Sequence, residues 1–146
     1  MDDNWPSVPL GEVGEWLSGG TPSKNHPEYW DGEVPWVSPK DMKVPRIRNS
    51  IDHVSESAIG NGTRLVDPGT LLMVVRGMIL AHSFPVALTE APVSFNQDMK
   101  ALVPGKRHDA EFLLYWLQNQ RPAVLGLVAS SSHGTKRLPT EEFWLS

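Results

Sequence analysis

The chain contains no cysteine, so it can form neither a disulfide framework nor a thiolate metal site. No apolar segment follows Met1, and no run approaches the ~18 apolar residues of a membrane helix, so neither a signal peptide nor a span is expected. The histidines at 26, 53, 82, 108 and 133 fall at no metal-ligand spacing, and no bound metal is expected. A nucleophile elbow, a phosphate-loop lysine and a dinucleotide fingerprint are all missing. Asp41-Met42-Lys43 and Asp98-Met99-Lys100 each place an acid two residues before a lysine, a spacing found in Mg²⁺ nucleases. Neither has an obvious second carboxylate placed to share the metal, so nuclease chemistry is the weakest of the readings kept open.

What is present is enough for a real core. At 146 residues the chain is read as one domain, residues 1–146, of a length that buries ~68–70% of its unfolded surface. Forty per cent hydrophobic residues and six tryptophans agree with a globular fold. The net charge of −4 gives no support for coating DNA by charge alone. Its distribution is uneven, however. Residues 1–33 hold seven acids against Lys24, a balance of −6 that leaves +2 for the remainder. Within that remainder, Lys40, Lys43, Arg46 and Arg48 oppose only Asp41. Such a strip can hold phosphate on an otherwise acidic protein.

The stretch from Gly69 to Pro104 organises the fold. Asp67-Pro68-Gly69 reads as a tight turn, and Leu71 to Val75 is an apolar run of strand length, too continuous for a surface strand. Pro85–Leu88 and Met99–Val103 read as further strands, and Asn96, Gln97 and Asp98 between them are turn formers. A buried sheet that raises Arg76, Asn96, Gln97 and Asp98 at its strand ends is a rigid platform for polar recognition.

Earlier in the chain, Leu10–Leu17 is either a helical turn or an edge strand, and Val34–Val37 is a short strand. Gly19-Gly20-Thr21-Pro22-Ser23 is a loop, either plain punctuation or a nest of free amides and hydroxyls suited to phosphate. Pro39 begins a helical turn, and Arg46-Ile47-Arg48 alternates so that both arginines share one strand face. A short helix is expected at Ser55–Ile59. Asp109 caps a helix from Ala110 to about Gln120 whose stripe is Ala110, Leu113, Leu114 and Leu117. A second short helix follows at Ala123–Val128, then a loop over Ala129–Thr135 and a helical first turn at Leu138–Phe143. The fold class expected is α+β: a mixed, mostly antiparallel sheet, irregular loops and a C-terminal helical pair.

Taken in order, GGTPS at 19–23, PEYWDGEVPWVSPKDM at 27–42, LVDPGTLLMVVRG at 65–77, SFNQDMKAL at 94–102 and SHGT at 132–135 resemble the target-recognition domain of a type I restriction–modification specificity subunit. The resemblance runs from about Val8 to the end. It implies a non-catalytic module that reads half of a bipartite duplex DNA site in a prokaryotic, cytoplasmic phage-defence system. Its partners would be a methyltransferase subunit and a restriction subunit. S-adenosylmethionine would belong to the methyltransferase, so no cofactor is expected in this chain. A full subunit of that family carries two recognition domains separated by long helices. These 146 residues are therefore expected to be half of one, joined by a second recognition domain or a second copy.

Arg76, Asn96 and Gln97 are the side-chain types that distinguish base edges, arginine for guanine and amides for adenine. Alternatively, Asn96 caps a turn and Arg76 pairs with Asp98. Gly20, Thr21, Ser23, Lys40, Lys43, Arg46, Arg48, Lys136 and Arg137 would be phosphate contacts that set register. A further reading makes the chain a protein-docking module, its acidic N-terminal face and exposed aromatics holding a partner.

Overall fold

A computed structural model describes residues 9–130 and 136–138. The apolar run after Asp67-Pro68-Gly69 forms β6 (Leu71–Val74), with all four residues buried. It is central in a five-stranded sheet whose other members are β1 (Gly14–Ser18), β3 (Arg46–Ile47), β7 (Val86–Thr89) and β9 (Met99–Pro104). The order is β1-β9-β6-β7-β3, antiparallel except where β3 lies parallel to β7. Period-two alternation is lost in β6 because helices or loops cover both of its faces, as a continuous apolar strand requires.

The remaining strands form a second sheet. They are β2 (Val34–Val37), β4 (Asp52–Val54), β5 (Leu65–Val66) and β8 (Val93–Phe95), in the order β4-β2-β8-β5. Here β2 and β8 are parallel, and the outer pairs are antiparallel. The α+β class and the mostly antiparallel pairing agree with expectation, but the strands divide between two sheets. Leu10–Leu17 fulfils both alternatives in turn, as a 3₁₀ turn at Leu10–Glu12 and then the edge strand β1. The expected helix at Ser55–Ile59 is a single 3₁₀ turn over Glu56–Ala58.

Helix α1 (Ala110–Gln118) begins at Asp109, whose carboxylate accepts the Glu111 amide at 2.8 Å. Its stripe is as expected: Leu113, Leu114 and Leu117 are buried and Ala110 packs against the core. Helix α2 (Arg121–Ser130) starts three residues after α1 ends, with Pro122 in the first turn, where its missing N–H does no harm. It runs two residues into the stretch expected to be loop. The expected helical turn at Leu138–Phe143 lies outside the described residues beyond Leu138, as does the Ser131–Thr135 part of the loop.

Candidate nucleic-acid interface

The two sheets meet at one end through the turn between β8 and β9. Phe95 ends β8, Met99 begins β9, and Asn96-Gln97-Asp98 joins them. Asn96 is 8% exposed; its backbone N–H donates to Val37 O at 2.9 Å and its side-chain oxygen accepts the Asp98 amide at 3.0 Å. This is the turn-capping alternative. Asn96 holds the turn, and Gln97 at its tip is exposed.

The glycine-rich loop packs onto the same turn. The Gly20 amide donates to Phe95 O at 3.1 Å, and the Thr21 hydroxyl donates to the Gln97 side-chain oxygen. Gly19 approaches so closely that an added Cβ would lie 2.2 Å from Asn96 O and 2.5 Å from the Phe95 ring. Indole groups hold the rest of the loop: Trp36 donates to Gly20 O and Trp30 to Ser23 O, both at 3.1 Å. Phe95 O also accepts the buried Thr63 hydroxyl at 3.0 Å. The loop is thus fastened by side chains from three elements.

Arg76 follows β6 at this end. Its Nε donates to the Asp98 carboxylate at 3.0 Å, and each side chain is about one-third exposed. This is the predicted alternative pairing, and its geometry is informative. An arginine has five N–H donors. Using Nε leaves both terminal nitrogens, the fork that reads guanine, without a partner among the described residues. The segment 136–138 lies against the same strand extension: Gly77 N–H donates to Lys136 O at 2.7 Å, and Leu138 N–H to Val75 O at 2.8 Å. Arg137 therefore stands opposite Arg76.

Strand directions decide which cations share this end. Ser18 at the end of β1 accepts from the Lys100 ammonium at 2.5 Å. Arg64 precedes β5, which runs antiparallel to β8, and so lies beside Phe95. Lys43 precedes β3, which runs parallel to β7; it is exposed and borders a shallow groove with Val44, Ser83, Gln118 and Arg121. Some acids of the N-terminal part lie elsewhere. Glu15 pairs with Val103 towards the far end of β1, and Asp31 and Glu33 precede the far end of β2. Arg64 and Lys100 were missed in the sequence reading. Strand pairing places Arg64, which lies near no other candidate in the chain, whereas Lys100 follows Gln97 by only three residues.

Unlike Lys43, the other cations of the 40–48 strip are bound to acids. Lys40 bonds Asp52 at 2.6 Å, and that bond raises its pKa. Arg46 and Arg48 are both exposed about buried Ile47, as the alternation required. Arg46, however, forms a two-pronged bond with Glu111 and reaches Glu90 at 3.5 Å, and Arg48 reaches Glu90 at 3.5 Å. The Arg46 bonds hold the Glu111 carboxyl below its ordinary range and raise the arginine's own pKa. This clasp ties β3 to the first turn of α1. Because the carboxylate's folded pKa is lowered, its stabilising contribution is complete above the ordinary carboxylate range and lost as pH falls through the folded value. The melting-temperature difference between wild type and Glu111→Gln should therefore be largest near neutral pH and vanish on acidification. A difference that persists with the carboxyl protonated would show that the clasp acts through packing instead.

Asp41 is also spent structurally. One of its oxygens accepts the Ser38 amide and the other the Ile51 amide, each at 2.9 Å. With Asp98 on Arg76, neither acid of the two Asp-Met-Lys sequences is presented for metal. Among the described residues, no three His, Asp or Glu side chains gather as a ligand set.

A family model for the type I restriction modification DNA specificity domain matches residues 2–143. The chain belongs to that family. This specificity domain is 38% identical over 118 residues to the type I restriction enzyme EcoR124I/EcoR124II specificity subunit of Escherichia coli, across 80% of its own length and 29% of the relative's. To the MjaIX specificity subunit of Methanocaldococcus jannaschii it is 29% identical over 116 residues, covering 77% of this chain and 26% of that subunit. Its fold is that of the HsdS subunit from Thermoanaerobacter tengcongensis, with a TM-score of 0.67 at 19% identity over 98% of this chain and 35% of the other. A chain from a study of complex assembly and conformational transition of the type I R-M system gives 0.72 at 19% identity, covering 100% of this chain and 33% of that one. The specificity domain thus spans about a third, or less, of each of these proteins.

Proposed function

We propose that this domain reads one half of a bipartite duplex DNA site and performs no chemistry itself. It would direct methyltransferase and restriction subunits in the cytoplasm of a prokaryotic cell, and S-adenosylmethionine would bind the methyltransferase. A second recognition domain, or a second copy, would supply the other half-site. The observation that carries this reading is the convergence of the Gly19–Ser23 loop, the Gln97 tip and Arg76 on one sheet end, with cations around it and Glu15, Asp31 and Glu33 towards the far ends of their strands. In this reading Arg76 and Gln97 face base edges. Asn96 holds the turn from which Gln97 projects. Thr21, Ser23, Lys43, Lys136 and Arg137 meet phosphates. Gly20, expected to offer a free amide, instead spends its N–H on Phe95 O, and with Lys40, Arg46 and Arg48 it serves mainly to bind elements together.

A salt titration tests the phosphate assignment. Lys43→Ala and Lys136→Ala should each weaken selected and random duplex alike and reduce the slope of log K against log salt by about one. Arg46→Ala should leave that slope nearly unchanged, because its charge is already matched by Glu111. A slope that falls for Arg46→Ala and not for Lys43→Ala would move the DNA from this end of the sheet to the exposed face of β3.

The protein-docking reading keeps one specific support. Phe112 and Tyr115 are 61% and 66% exposed, three residues apart on the outer face of α1. They lie on a different element from the base readers, so the two surfaces are compatible within one subunit.

A further inference from the structure

We propose that Met78 and Ile79 form an apolar reader that contacts a thymine methyl group in the major groove, beside the base pair met by Arg76. The inference rests on the DNA-reading role above and assigns part of its specificity. Single exposed apolar residues need no explanation. This pair is different because it is built outward on a fixed loop. Gly77 leaves β6 with φ 133°, a conformation L side chains rarely adopt, and turns the chain away from the sheet. Its N–H is bonded to Lys136 O at 2.7 Å, so the root of the loop is fixed. Leu80, fully buried, anchors the far side and donates its N–H to Gly77 O at 3.1 Å. Ile79 O accepts the His82 and Ser83 amides at 3.2 and 3.0 Å, and Arg121 donates to His82 O at 2.6 Å. Held between these points, Met78 remains 64% exposed and Ile79 39%.

The surroundings select the occupant. Residues 68–89 contain no Asp or Glu, and the loop is flanked by Arg76, Lys136, Arg137 and Arg121. Asp98, an acid at this end, is bonded to Arg76. An apolar tip ringed by cations suits a surface that is anionic at its rim and apolar at its centre. Duplex DNA offers that at a thymine, whose C5-methyl is the apolar group on the major-groove edge of the bases. An unbranched methionine can settle against such a methyl without strain.

The test uses the full chain at low salt and a randomised duplex library. From the enriched half-site, each thymine is replaced in turn by deoxyuridine, which lacks only the methyl. Wild type should lose about fourfold in affinity at one thymine, the value of one buried methyl group. Met78→Gln and Ile79→Gln should bind the thymine site correspondingly weaker and be indifferent to the replacement, and Met78→Gln, at the more exposed position, should leave the melting temperature unchanged. A half-site without a required thymine would overturn the proposal. So would variants as sensitive to methyl loss as wild type, or variants equally impaired on random duplex. Failure to enrich any half-site would remove the DNA-reading role itself. Enrichment that depends on Arg76 but not on Met78 or Ile79 would remove this inference alone.

Discussion

An alanine at position 19 should destabilise the domain by roughly 3 kcal/mol, the upper part of the range for overpacking. The added Cβ would lie 2.2 Å from Asn96 O and 2.6 Å from Phe95 O. Those are backbone atoms of a turn that joins two sheets, and they cannot swing aside as the end of a flexible side chain could. The loop must lift from the turn instead, breaking the Gly20 bond to Phe95 O and separating Thr21 from Gln97. Urea denaturation measures the effect as a lower midpoint with an unchanged slope. Gly126→Ala is the matched control. That glycine lies in α2 with nothing within 4 Å of the added carbon, and alanine there should stabilise by up to about 1 kcal/mol. If Gly19→Ala behaves like the control, the loop does not press on the turn, and the interface is not assembled from these two segments.

Much of this arrangement was legible before any coordinates. The run at 71–75 could only be a buried strand, and the spacing of Leu113, Leu114 and Leu117 could only face a core. What could not be read was set by pairing. β4, β5 and β8 have three residues or fewer, too short for a period, and β8 carries Ser94 in a fully buried position. That serine is tolerated because its hydroxyl donates to Pro35 O at 2.8 Å, a partner 59 residues away. The same limit governed the charges. Arg46 and Arg48 were placed correctly on one exposed face, yet Glu90 and Glu111 lie more than 40 residues further on, and nothing local marks them as partners. For Arg76 the partner was near enough to name, because Asp98 closes the turn that the apolar strands frame.

The largest expected effect on recognition belongs to Arg76. With Nε taken by Asp98, the guanidinium is held in one orientation, and its two terminal nitrogens match the O6 and N7 acceptors of guanine. Arg76→Ala should cost about 1–3 kcal/mol on the selected half-site and little on random duplex, which is the discrimination a two-pronged base contact supplies. Arg76→Lys should be nearly as poor despite keeping its charge, since a point charge lacks the fork. Asp98→Asn keeps the turn but weakens the hold on Nε, so it should lose part of the same discrimination without changing the salt slope. Gln97→Ala should act at a neighbouring position. Its side-chain oxygen has a second lone pair after accepting from Thr21, and its amide can still donate, which is what adenine requires. The measurement is a competition between selected and random duplex at several salt concentrations, with the single variants and the Arg76/Asp98 double variant. Arg76 and Asp98 should prove strongly non-additive, because each works through the other, whereas Arg76 and Gln97 should add. Equal losses on both duplexes would make Arg76 a phosphate contact. Loss of folding stability with no change in discrimination would leave it a structural brace between β6 and the turn.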